Sequence, residues 1–119
     1  MMIKQIYVVQ AADWARVHGF ADIKANAEGY PTPIAYGRQQ DGESFTPDVT
    51  GKQFNHTSYF EVVLKTSERE HLLSKLKLLH QLATLQGGQL YLMAPKGHAP
   101  FAKSILLSSR ISAEVIPLQ

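Results

Sequence analysis

The chain has 119 residues, 45% of them hydrophobic and 18% charged: enough for one core, short for two, and too apolar for wholesale disorder. It has no cysteine, and no apolar run approaches the roughly twenty residues a membrane helix needs, which excludes a disulfide framework, thiolate metal sites and a spanning helix. Twelve Lys and Arg against ten Asp and Glu leave a net charge of +2, far from the concentrated basic footprint of a strong nucleic-acid binder.

These features predict one soluble domain over residues 1–119 in a reducing, cytoplasmic setting, with no membrane partner. The first twenty residues lack the basic start, long apolar stretch and small-residue site of a signal peptide, so none is expected. Lys96, Lys103 and Arg110 fall in a C-terminal third whose only acid is Glu114, a bias that reads first as a solvated face.

In chain order, Tyr7, Ala11, Trp14 and His18 recur in steps of four, three and four, with Ile3, Ile6 and Val9 beside them. This spacing predicts an amphipathic helix over about residues 3–18, stopped by His18-Gly19. The β-branched run from Ile3 to Val9 alone would also suit a strand. From Phe20 to Thr57, Gly and Pro punctuate short apolar pieces. Ile34-Ala35-Tyr36 is one strand candidate, Asp41-Gly42 a hairpin signal, and Phe45 to Thr50 a second strand interrupted by Pro47. A third and clearer strand runs from Ser58 to Lys65, and the three are expected to form an antiparallel meander.

Ser67-x-x-Glu70 is a capping-box pattern, and Leu72, Leu76, Leu79 and Ala83 then form an apolar helical stripe ended by Gly87-Gly88. Gln89 to Ala94 reads as a strand buried on both faces, Pro100 opens a helix over about 100–109, and Glu114 to Leu118 gives the last strand. From Ser58 onward the pattern is β-α-β-α-β, that of parallel strands joined by helices.

The order αβββαβαβ, with Pro47-Asp48 on the second strand and Phe60-Glu61-Val62-Val63 on the third, resembles the PD-(D/E)xK nuclease superfamily. Trp14, Gly19 and Asp22-Ile23-Lys24 also look like the opening of its small members. The resemblance implies an α/β fold with a restriction-endonuclease-like αβββαβαβ core and a mixed central sheet. It further implies Asp48 and Glu61 as ligands of Mg2+ or Mn2+, and DNA or RNA as partner. Carboxylate oxygens are hard ligands suited to such ions, which clamp phosphate and acidify water.

The family's lysine, which activates or orients the attacking water, belongs two residues after the Glu, where this chain has Val63. Lys65 is the nearest lysine and the third candidate catalytic residue beside Asp48 and Glu61, although it must reach back roughly 6.6 Å along the strand. Lys75 and Lys77 on the following helix are other substitutes. The departure at Val63 implies weak hydrolysis or none.

Among the histidines, His71 and His80 lack metal-pair spacing. His56 falls in a turn near the expected site, and His98 at the end of a buried strand, where it reads first as a residue leading into the helix. No phosphate-binding glycine loop and no G-x-S-x-G occurs. Two other readings compete. One is a non-catalytic interaction module whose open sheet edge and small size favour a homodimer. The other is a ferredoxin-like regulatory domain, which requires residues 3–9 to be a strand.

Overall fold

The computed structural model describes residues 3–37 and 44–119, so the Asp41-Gly42 signal lies outside the described residues. The chain opens with helix α1 (Ile3–Val17), as the four-three-four spacing predicts, and this removes the strand that a ferredoxin-like arrangement needs. Its sealed face is Val8, Ala11, Ala12 and Ala15, with Tyr7 and Trp14 at the margin and His18 outside the helix and exposed. Gly19 takes a φ of 90° and donates to the Arg16 carbonyl, while Phe20 donates to that of Ala15. This paired bond pattern is the Schellman stop, which needs a residue tolerant of left-handed backbone.

Strand β1 (Ala21–Ala25) follows, a segment whose single β-branched residue, Ile23, does not mark it as a strand in the sequence. A two-stranded ribbon, β2 (Tyr36–Gly37) against β3 (Ser44–Phe45), stands apart from the main sheet. The expected strand over Phe45 to Thr50 is in fact split: β3 ends at Phe45, and β4 (Val49–Gln53) begins after Asp48. Pro47 has no N–H to give a ladder, so pairing cannot run through it. Strand β5 (His56–Val62) starts two residues earlier and ends three earlier than the expected Ser58 to Lys65. Then come α2 (Arg69–Leu85), β6 (Gly87–Ala94), α3 (Ala99–Ser109) and β7 (Glu114–Pro117).

The main sheet has five strands in the order β1-β4-β5-β6-β7. The first three pair antiparallel, and β5, β6 and β7 run parallel, so the sheet is mixed. The antiparallel meander is therefore β1-β4-β5, with β1 in the place expected for the segment around Tyr36. Helix α1 covers one face, over Phe20, Val49, Phe60, Val62 and Met93, where the Phe60 and Tyr91 rings stack at 4.9 Å. Helices α2 and α3 cover the other, over Tyr59, Val63, Leu90 and Leu92. Strand β6 thus feeds both cores, as its continuous apolar run predicts. Among the described residues, no helix is long and apolar enough to cross a membrane.

Helix α2 does not start as the capping-box pattern suggests. Its N-cap is Glu68, with no side-chain cap bond, and the Thr66 hydroxyl accepts from the Glu68 N–H at 3.1 Å. Thr66 thereby closes a short side-chain turn that leaves Ser67 one position too early to cap.

Candidate functional site

The β4–β5 ladder runs from Gln53↔His56 to Val49↔Phe60, and its next rung would pair Asp48 with Glu61. Side chains replace the backbone bonds at that rung. The Asp48 N–H donates to Glu61 Oε1 at 3.2 Å, and the Val62 N–H donates to Asp48 Oδ2 at 2.9 Å. The Asp48 carbonyl meanwhile accepts from Asn26 at 2.8 Å, just past the end of β1. Two carboxylates are thus drawn inside the sheet because each satisfies an N–H that would otherwise be buried without a partner.

Buried carboxylates need counter-charge. Asp48 is 4% exposed and Glu61 1%. Lys4, in the first turn of α1, places Nζ 3.2 Å from Asp48 Oδ2 and 3.5 Å from Glu61 Oε2. Lys75 of α2 places Nζ 2.6 Å from the same Glu61 Oε2. Two acids and two lysines therefore balance, with Lys4 arriving from one layer and Lys75 from the other. Burial, and then the charge of Asp48, push the Glu61 carboxyl up to about 7, while Lys75 and Lys4 pull it down. Burial lowers Lys4, but Glu61 and Asp48 outweigh it and leave Lys4 above its ordinary value. The 2.6 Å contact from Lys75 favours the ionised form of Glu61.

A cavity of about 240 Å3 opens on the cluster, lined by Lys4, Glu61, Thr66, Glu68, His71 and Lys75 among others. His71 lies one helical turn before Lys75 on α2, and its ring packs against Phe45 at 5.6 Å. Lys65 does not line this cavity: it sits beyond the end of β5, exposed, with its N–H donating to His98 Nδ1 at 2.8 Å. Lys77 is exposed as well. Val63 is 0% exposed and packs in the α2–α3 core, so the position where the motif would carry lysine is roofed by α2. His56 begins β5 and contacts the Gln86 carbonyl at 3.3 Å, five residues or about 17 Å along the strand from Glu61, away from the cluster.

Asp48 and Glu61 are the residues that could hold a divalent ion of the magnesium class. Lys4 Nζ already marks a point reached by both carboxylates. Among the described residues no group of three or more His, Cys, Asp or Glu converges, so the protein would supply two carboxylates and leave the other positions to water and phosphate. That is the usual habit of magnesium sites, which rest on one or two carboxylates plus substrate oxygens.

Lys4 and His71 were not singled out by spacing. Lys4 is remote in sequence from the acids it joins, and nothing in a helical first turn marks it. The one signal available was Glu61 itself, a charge inside the apolar run Tyr59-Phe60-Glu61-Val62-Val63, which demands a buried partner. Comparisons of the chain with protein-family models, with curated proteins and with solved structures give no match.

Proposed function

We propose that the chain is a nuclease-like domain of the PD-(D/E)xK type, acting on phosphodiesters of DNA or RNA, with Asp48 and Glu61 as the acids that hold Mg2+ or Mn2+. Lys75 replaces the lysine that Val63 lacks. The observation that carries this reading is the 2.6 Å contact between Lys75 Nζ and Glu61 Oε2 at the floor of an open cavity. A lysine delivered from α2 reaches the same carboxylate that a strand lysine would serve.

When bound, the ion supplies a Lewis acid for the phosphoryl oxygen and makes water more acidic. The protein's own residues do the rest. Asp48 and Glu61 are each held by a backbone N–H, which limits the rearrangement an ion would require of them. Lys75 holds the Glu61 carboxylate in place and presents an ammonium to the cavity, where negative charge builds during attack. A positioned donor of this kind contributes on the order of 10²–10³ in rate.

The test is cleavage of single-stranded, duplex and branched DNA and of RNA, with magnesium and with manganese. Activity should fall roughly 10²–10³-fold in Lys75→Met and survive in Lys65→Ala. Loss in Lys65→Ala with retention in Lys75→Met would overturn the assignment of the lysine.

A second reading is favoured by Lys4. With both acids neutralised by lysines and bonded to backbone, the cluster would serve to tie α1 and α2 to the sheet in a non-catalytic interaction module. Absence of cleavage and of salt-sensitive nucleic-acid binding in every variant would favour it.

A further inference from the structure

The geometry points to Lys4 as an internal cation that occupies the divalent-ion position between Asp48 and Glu61 and must leave it when an ion binds. This rests on the reading of the two acids as metal ligands and adds a residue that sets their affinity.

Three observations carry it. First, Lys4 Nζ is the group that bridges the two acids, at 3.2 Å from Asp48 Oδ2 and 3.5 Å from Glu61 Oε2, whereas Lys75 touches Glu61 alone. An ion that took both oxygens as ligands would need the space between them that the ammonium fills, so the two cations would exclude one another. Second, the lysines differ in freedom. The Lys75 side chain is 15% exposed, on the second turn of α2, but that of Lys4 is 36% exposed, in the first turn of α1. First-turn residues lack a full set of intrahelical bonds, and a four-carbon stem can swing its charge to water at little cost. Third, Lys4 also lines the cavity. Its displaced ammonium would remain at the mouth, on the side from which a phosphate approaches.

Lys4 would then have two positions. In the unloaded protein it neutralises the acids and prevents two buried carboxylates from repelling each other. In the loaded protein it becomes a phosphate-facing cation, and total charge at the site rises by the two units that the substrate's phosphates bring down again. Metal binding would be weak without nucleic acid and stronger with it.

Titration of Mn2+ by calorimetry into the wild type, Lys4→Met and Asp48→Asn tests this without any cleavage assay. Lys4→Met should bind Mn2+ on the order of tenfold tighter or more, because a competing charge has gone, and Asp48→Asn should lose binding. Equal or weaker affinity in Lys4→Met, with measurable binding in the wild type, would overturn the role of Lys4 and leave the two acids as ligands. Binding to none of the proteins would overturn both. Should Lys4→Met fail to fold, the wild type labelled with 13C-lysine gives the same answer. Saturating Mg2+ should move the Lys4 side-chain resonances toward those of solvent-exposed lysines, and unmoved resonances in protein that calorimetry shows to bind Mg2+ would refute the displacement.

Discussion

With Lys75 at 2.6 Å and Lys4 at 3.5 Å from one of its oxygens, Glu61 titrates between two opposing demands. Burial raises its proton affinity, so the folded carboxyl gives up its proton near 7 against an ordinary value of 4.5. Between those values the folded state binds more protons than the unfolded one. The contribution of Glu61 to stability is therefore fully present below about 4.5 and lost as pH rises through about 7. Denaturant unfolding of the wild type and of Glu61→Gln, from pH 4.5 to 8, should show the wild type losing ground to the variant across that interval; parallel curves would mean that Glu61 does not titrate there. Val63 supports a second expectation. Placing lysine at the motif position should not create activity, since the side chain lies at 0% exposure among Leu76, Leu79 and Leu92. Val63→Lys should instead cost about 3–5 kcal/mol by leaving a charge buried and unpaired. A variant as stable as the wild type, and more active, would show that the position opens onto the cavity after all.

Helix α2 shows how a correct element can carry an incorrect start. Its apolar stripe was legible because Leu76, Leu79 and Ala83 are the buried residues of the helix. Its cap was not, because Thr66 competes for the Glu68 N–H and shifts the first turn past Ser67. Thr66→Ala should cost about 0.5–1.5 kcal/mol, while Ser67→Ala should stay within about 0.5 kcal/mol of the wild type; the reverse order in thermal unfolding would restore Ser67 as the cap. The parallel half of the sheet was readable for a similar reason, since β6 is apolar on both faces and bounded by Gly and Pro. Strand β1 was not. Its burial runs from exposed through intermediate to buried without alternating, its register slips between Ala21 and Lys24, and Asp22 takes a φ of 51°, so neither alternation nor propensity marks it. At the candidate site, Asp48 and Glu61 stand out in the sequence as a motif. The spacing offers Lys65 on the strand first, with Lys75 and Lys77 of the helix as substitutes; of these, Lys75 reaches Glu61. The face that Glu61 shares with Val63 is covered by α2, so a lysine reaching Glu61 comes from the helix, and the second one comes from the opposite layer.

Across the whole molecule, β5 joins the two cores: Phe60 and Val62 pack under α1, and Tyr59, with Val63 just past the strand's end, under α2 and α3. It is also the middle strand of five, paired with β4 on one side and β6 on the other. Amide hydrogens here should open only with the whole fold, whereas the edge strands β1 and β7 and the first turn of α1 open by local fluctuation. The candidate site therefore combines Glu61, carried by the central strand, with a lysine from the first turn of a helix. Rigid acids and a movable cation are what an exchange of ammonium for metal requires. The Val62 amide reports on this arrangement directly, because it has no backbone acceptor at its rung and donates to Asp48 Oδ2 at 2.9 Å. In the wild type it should exchange about as slowly as that of Phe60, which lies inside the regular ladder. In Asp48→Ala the Val62 amide should exchange faster by roughly tenfold or more, the loss of one buried hydrogen bond of about 1.5–3 kcal/mol to a charged group. Tyr59 and Phe60 should change only as far as global stability falls. Hydrogen exchange followed residue by residue separates the two cases: uniform acceleration along β5 would mean that Asp48 merely stabilises the fold, and an unchanged Val62 would mean that its carboxylate does not hold the strand at all.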